Sequence, residues 1–117
     1  MPSKKKRILV CGATGFIGRN CVKKLLTQGE TEVIGVYHNR EPYDIPGLQW
    51  VYADLRQPEQ VNKILADIDV IIQAAAITSG SKDVIERPYI HIADNAVMNS
   101  YLMRGALDNK VGQFIFF

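Results

Sequence analysis

The sequence predicts an α/β fold, a doubly wound parallel sheet of five strands in the order 3-2-1-4-5. Three observations predict it. Short apolar runs alternate with segments whose apolar residues recur at helical spacing, neither a hairpin signal nor an internal repeat interrupts that alternation, and a glycine-rich turn joins the first run to the first helical segment. Right-handed crossovers leave few other topologies, and the switch point then lies between the first and fourth strands. Ligands bind outside the carboxyl ends of such strands, which here means the segments starting at Gly12 and at Gln73.

Each element has its own signal. Ile8 to Cys11 is a short apolar run ending at Gly12 and reads as a strand buried on both faces. From Ile17 the period changes: Ile17, Cys21, Val22, Leu25 and Leu26 share one helical face, Arg19, Lys23 and Lys24 take the other, and Gly29 supplies the stop. Glu32 to Tyr37 is the second strand. A turn-rich loop with Pro42 and Pro46 follows, then a third strand at Gln49 to Tyr52. Pro58 opens a short helix running to about Ala66, with Val61, Ile64 and Leu65 on one face. Val70 to Ile72 is the fourth strand, and the polar stretch from Thr78 to Arg87 is a loop. A long helix over Pro88 to Leu107 is expected to bury Ala93, Ala96, Val97, Ser100, Met103 and Leu107, with Arg104 at the edge; Asp108 and Asn109 terminate it. Phe114 to Phe117 is the fifth strand.

Composition narrows the class. The 117 residues are 47% hydrophobic and 22% charged with a net charge of +2, which fits one globular domain. The longest apolar run, Val70 to Ile77, is interrupted by Gln73 and falls short of the ~18 residues that span a bilayer. Cys11 and Cys21 form neither a disulfide framework nor a metal or redox pair, so a reduced, cytoplasmic setting is expected. Residues 1–6 read as a flexible basic lead-in, and without the run from Lys4 to Arg7 ten bases stand against twelve acids, so a nucleic-acid-binding face is not expected. His38 and His91 lack partners at metal-ligand spacing, which argues against a metal site.

The turn Gly12-Ala13-Thr14-Gly15-Phe16-Ile17-Gly18 carries the first functional signal. Leaving the strand demands unusual dihedrals, a pyrophosphate needs close backbone approach, and the helix must pack tightly on the sheet; glycines meet all three demands, and the helix start faces an anion with free N–H groups. The spacing is neither Gly-x-Gly-x-x-Gly nor a Walker loop.

These residues resemble the extended branch of the short-chain dehydrogenase/reductase superfamily, the NAD(P)-dependent nucleotide-sugar epimerases, dehydratases and reductases. That branch shows Thr-Gly-x-x-Gly-x-x-Gly, and Cys11 stands here in place of the threonine. The resemblance covers Arg7 to Phe117 and implies a Rossmann-like fold. Ala53-Asp54-Leu55 resembles the element beside the adenine, where Asp54 would accept from the exocyclic amine and Leu55 would supply a backbone contact; Asp54 as a cap of the next turn is the other reading. The run from Val70 to Ala76 is similar to the strand lining the cofactor near its nicotinamide riboside, where Ala74, Ala75 and Ala76 leave room. Asn95 matches the asparagine that starts the family's fourth helix, and would hold a water or support the active-site backbone.

An acidic residue about 20 positions beyond the glycines would bind the ribose diol of NAD. The second strand ends instead in Tyr37-His38-Asn39-Arg40, whose donors suit the 2′-phosphate of NADP, Arg40 with a bidentate fork. NADP is therefore preferred, with NAD the alternative.

The family's chemistry uses a Tyr-x-x-x-Lys pair after the fifth strand, and no tyrosine here has a lysine four residues later. The chain is thus read as the N-terminal cofactor-binding part, residues 1–117, of an enzyme acting on a nucleotide-activated sugar, truncated after the fifth strand, inactive alone and a candidate for homodimer formation. The alternative is a noncatalytic NADP-sensing or scaffold protein of the same fold.

Overall fold

The computed structural model describes residues 5–75 and 89–117, the side chains of 89–92 excepted. The elements are β1 (Arg7–Cys11), α1 (Phe16–Gln28), β2 (Glu32–Tyr37), β3 (Leu48–Tyr52), α2 (Pro58–Ile64), β4 (Val70–Gln73), α3 (Tyr89–Asp108) and β5 (Gln113–Phe116). Every pairing is parallel and the order is β3-β2-β1-β4-β5, as the sequence predicts. The switch point falls between β1 and β4, where Cys11 stands opposite Gln73.

Strand alternation divides the core into two layers. Leu9 and Cys11, with Ile34, Val36 and Ile71, face Val61 of α2, Leu65 just after it, and Met98, Leu102 and Ala106 of α3. Ile8 and Val10, with Val33, Val70 and Ile72, face Val22, Leu25 and Leu26 of α1. The inner strands β1, β2 and β4 are buried on both sides for most of their length because both sides are covered. Leu9, Leu65, Ile71 and Leu102 are fully buried, each contributing about 1.5–3 kcal/mol of transfer free energy.

The ends of the elements follow local chemistry. Arg7 opens β1: its N–H donates to the Asp69 carboxylate at 2.8 Å and its guanidinium pairs with Glu32 at the start of β2 at 2.8 Å. Gly29, at φ 69°, ends α1 by donating its N–H to the Leu25 carbonyl. Helix α2 stops at Ile64, two residues before the expected end, because the chain turns through Leu65 and Ala66 to Asp67 at φ 61°. The expected loop from Thr78 to Arg87 and the Pro88 helix start lie outside the described residues.

Helix α3 turns a different face inward from the one its aliphatic spacing indicates. Val97, Met103 and Leu107 are exposed, as are Ala93, Ala96, Ser100 and Arg104. The buried stripe is Met98, Leu102, Gly105 and Ala106, flanked by half-buried Asn95, Asn99, Tyr101 and Asn109. Its amides make it look polar in sequence, but Asn99 bonds Gln73 at 2.8 Å and Asn109 bonds the Gly105 carbonyl at 2.8 Å. A Cβ at Gly105 would stand 2.6 Å from Leu65 Cδ1, so this glycine lets α3 lie close on the α2 region.

Candidate functional site

At the carboxyl ends of β1, β2, β3 and β4 lies an open cleft of ≈ 640 Å³, within the roughly 300–1,000 Å³ of small-molecule sites. The glycine turn forms one wall. Gly12 has φ +74°, and a Cβ there would stand 2.6 Å from the backbone of Ala75, so the turns after β1 and β4 touch through bare backbone. A Cβ on Gly18 would overlap the Gly12 carbonyl, which is how the first turn of α1 seats against the loop.

The polar backbone groups of this turn are sorted by type. The carbonyl of Gly12 accepts from the Gly15 N–H at 3.0 Å, that of Gly15 from the Arg19 N–H at 2.9 Å, and that of Ala13 from the Tyr43 hydroxyl at 3.1 Å. Gly15, the N-cap, has no side chain with which to cap the first N–H groups of α1. Three acceptors of the turn are thus occupied, while the first N–H groups of α1, which an α-helix leaves without intrahelical partners, have no side-chain cap and suit an anion.

The opposite corner is built by β2 and β3, paired so that Tyr37 is beside Tyr52. Asp54 is only 15% exposed there. Its Oδ1 accepts from the Arg56 N–H at 3.0 Å and Nε at 3.2 Å, its Oδ2 accepts from Arg56 Nη2 at 3.2 Å, and His38 Nε2 lies 3.6 Å from Oδ2. The side-chain hydrogen bonds from Arg56 hold the Asp54 carboxyl below its ordinary range. The capping reading of Asp54 thus holds alongside its place in the cleft: the carboxylate closes an Asx turn onto Arg56 and lines the cavity too.

Among the expected residues, Gly12, Thr14, Gly15, Phe16, His38, Asn39, Arg40, Asp54, Leu55, Ala74 and Ala75 all line this one cleft. Ile17 and Gly18 do not: Ile17 is 45% exposed on α1 and Gly18 is packed beneath the turn. Asn95 is half-buried on α3 and outside the lining. Ala76 lies outside the described residues. Cys11 is fully buried and desolvation pushes its thiol up to about 12, which fits a small packed residue and not a redox thiol.

Sequence reasoning missed Arg56, Met98, Gln73 and Tyr43. Arg56 and Met98 line the cleft. Gln73, 3% exposed, uses both ends of its amide: Nε2 donates to Asn99 Oδ1, and Oε1 accepts from the Ala75 N–H at 3.0 Å. A polar residue ending an apolar strand beside the switch point was the available signal for Gln73. Tyr43 offered none, because its partner is thirty residues away.

A doubly wound parallel sheet with a glycine turn over its switch point defines a nucleotide-binding class of α/β protein. The particular family follows from comparison: the sequence pattern of the NAD dependent epimerase/dehydratase family matches residues 8–117, and the chain belongs to that family. It is 30% identical over 118 residues to the low-salt glycan biosynthesis protein Agl12 of Haloferax volcanii, covering 92% of this chain and 37% of that protein. Among solved structures, a UDP-glucose 4-epimerase with UDP-glucose from Thermotoga maritima superposes with a TM-score of 0.79 at 26% identity, covering 94% of this chain and 37% of the other. A uronate dehydrogenase from Agrobacterium tumefaciens complexed with NAD gives 0.76 at 25% identity, covering 95% and 40%. The chain therefore spans little more than a third of the Haloferax protein and of the epimerase, and two fifths of the dehydrogenase. Among the described residues, no helix is long and apolar enough to cross a membrane.

Proposed function

We propose that the chain binds NADP, and less tightly NAD, as the cofactor-binding part of an enzyme that epimerises, dehydrates or reduces a nucleotide-activated sugar. One observation carries this reading: in the turn 12–18 the carbonyls of Gly12, Ala13 and Gly15 are taken up by protein donors, while Thr14, Gly15 and Phe16 at the start of α1 line a cleft walled by Ala74 and Ala75. A pyrophosphate fits that arrangement because it needs donors, close backbone and no competing oxygen. Thr14, Gly15 and Phe16 hold the pyrophosphate, Gly12 and Gly18 shape the turn, and Ile17 supports it from α1. The adenine lies by Asp54 and Leu55, the nicotinamide riboside by Ala74 to Ala76, and Asn95 supports the backbone nearby. The bound nicotinamide supplies the hydride chemistry; the 117 residues contain no Tyr-x-x-x-Lys pair to direct it, so they bind without turning over.

The preference for NADP is supported by charge. Arg40 lines the cleft and among the described residues has no carboxylate partner, whereas the nearby Asp54 is already engaged by Arg56. A 2′-phosphate thus meets a free guanidinium and a neutralised carboxylate. The reading extends to a homodimer through the outer stripe of α3, where Val97, Met103 and Leu107 are exposed; light scattering of Met103→Lys would show a monomer where the unaltered protein is paired.

Titration with NADPH and NADH by nucleotide fluorescence or calorimetry tests the cofactor assignment. NADPH is expected to bind more tightly. Equal affinities overturn the 2′-phosphate argument, and absence of binding by either overturns the site.

A further inference from the structure

The segment between β2 and β3 begins at the ribose corner and is fastened to the glycine turn. Its first residues, His38, Asn39 and Arg40, line the cleft. Farther along, the Tyr43 hydroxyl donates to the Ala13 carbonyl at 3.1 Å. The ring is clamped on two sides: Trp50 meets it edge-on at 5.0 Å and 87°, and the Arg19 guanidinium carbon lies 4.3 Å from its centroid. Burial raises the Tyr43 hydroxyl above its ordinary value, with Arg19 opposing the shift, so it stays a proton donor at neutral pH.

None of Tyr43, Trp50, Arg19 and Ala13 lines the cleft. The hydrogen bond nevertheless joins the two segments that supply lining residues on either side, 12–16 and 38–40. It occupies a carbonyl oxygen of the very turn that must present donors to a pyrophosphate, and it ties the strap carrying residues 38–40 to that turn. With Pro42 beside Tyr43, few freely rotating bonds separate Arg40 from the anchor.

We propose that Tyr43 is a positioning residue for cofactor selectivity, fixing the spacing between the groups that read the 2′-phosphate and those that bind the pyrophosphate. This rests on the NAD(P) reading of the cleft. Preorganisation of this kind favours a ligand that engages both walls at once and does nothing for one that reaches a single wall.

Tyr43→Phe tests it, because the variant keeps the ring contacts with Trp50 and Arg19 and deletes only the hydroxyl. The probes are NADPH, NADH and adenosine 2′-monophosphate, which reaches only the ribose corner. NADPH affinity is expected to fall about three- to tenfold, the range of one hydrogen bond. NADH should lose less, and adenosine 2′-monophosphate should bind both proteins equally. A purely structural role would weaken all three alike; that result, or unchanged NADPH binding, overturns the proposal. If the unaltered protein binds none of the three, the NAD(P) reading itself fails and the proposal with it.

Discussion

Gln73 donates its amide to Asn99 Oδ1 at 2.8 Å while its own carbonyl accepts the Ala75 N–H at 3.0 Å. One buried side chain thereby joins β4, the alanine turn and α3. Gln73→Leu keeps most of the volume but strands both partners, a situation that costs about 1–3 kcal/mol for a buried polar group. Denaturant unfolding of Gln73→Leu, Asn99→Leu and the double variant is expected to reveal strong coupling. Additivity within about 0.3–0.5 kcal/mol, as for independent sites, would remove the bridge from the account.

Gly18 is where the helix and the glycine turn leave no room for a Cβ. Gly18→Ala must move backbone against backbone, so it should lose about 1–3 kcal/mol of stability and weaken NADPH binding together. Gly29→Ala is the matched control: nothing lies within 4 Å of its Cβ, and only its φ of +69° resists the change. That variant is expected to lose roughly 1 kcal/mol with cofactor affinity intact. Equal NADPH affinity in Gly18→Ala and unaltered protein would contradict the tight-turn argument.

Much of this architecture is legible in sequence because period and punctuation act locally. Glu32 to Tyr37 is apolar and β-branched between Gly29 and a loop, and β2 occupies that span. The Gly12 to Gly18 turn is likewise written into seven consecutive residues. The inward face of α3 is hidden for the opposite reason: Asn95, Asn99 and Asn109 belong to it, while Val97, Met103 and Leu107 form the better apolar stripe and face outward. A hydrogen bond such as Gln73 to Asn99 turns a polar position into a core position, and only the tertiary partner reveals it. The Arg56 grip on Asp54 is short-range, but a guanidinium two residues from a carboxylate has many rotamers, and residue order does not choose among them.

Arg40→Glu should separate the two cofactors. A carboxylate at the end of β2 repels a 2′-phosphate and accepts hydrogen bonds from a ribose diol. NADPH affinity is expected to fall at least tenfold, about 1.4 kcal/mol, while NADH holds or improves. Paired titrations read this directly, and parallel losses would mean that Arg40 does not face the phosphate.

The Asp54 corner predicts an acid limb. Side-chain hydrogen bonds from Arg56 hold the folded carboxyl below its ordinary 3.8. Its contribution to stability is therefore full above about pH 4 and is lost as pH falls through the lower folded value. Asp54→Asn should be less stable at neutral pH, with its melting curve converging on that of the unaltered protein as the solution is acidified. Melting temperatures that stay a constant distance apart from pH 7 to pH 3 would show that Arg56 does not stabilise the ionised form.

Helix α3 ends in a way that can be improved. The Lys110 N–H donates to the Leu107 carbonyl at 3.3 Å and the Val111 N–H to the Ala106 carbonyl at 2.9 Å, the bonding of a Schellman motif. That motif places its C′ residue in the left-handed region, and Lys110 sits there at φ 57°. A lysine pays a steric cost of roughly 1–2 kcal/mol in this conformation, which glycine avoids. Glycine also gives the unfolded chain more freedom, which takes back about 0.4–1 kcal/mol. Lys110→Gly is thus expected to stabilise the fold by about 0.5–1 kcal/mol. Because β5 begins three residues later at Gln113 and pairs with Val70, the gain should appear in the cooperative unfolding transition and not only as reduced fraying of the helix end. A melting temperature that fails to rise would mean that Lys110 recovers its strain through contacts of its own.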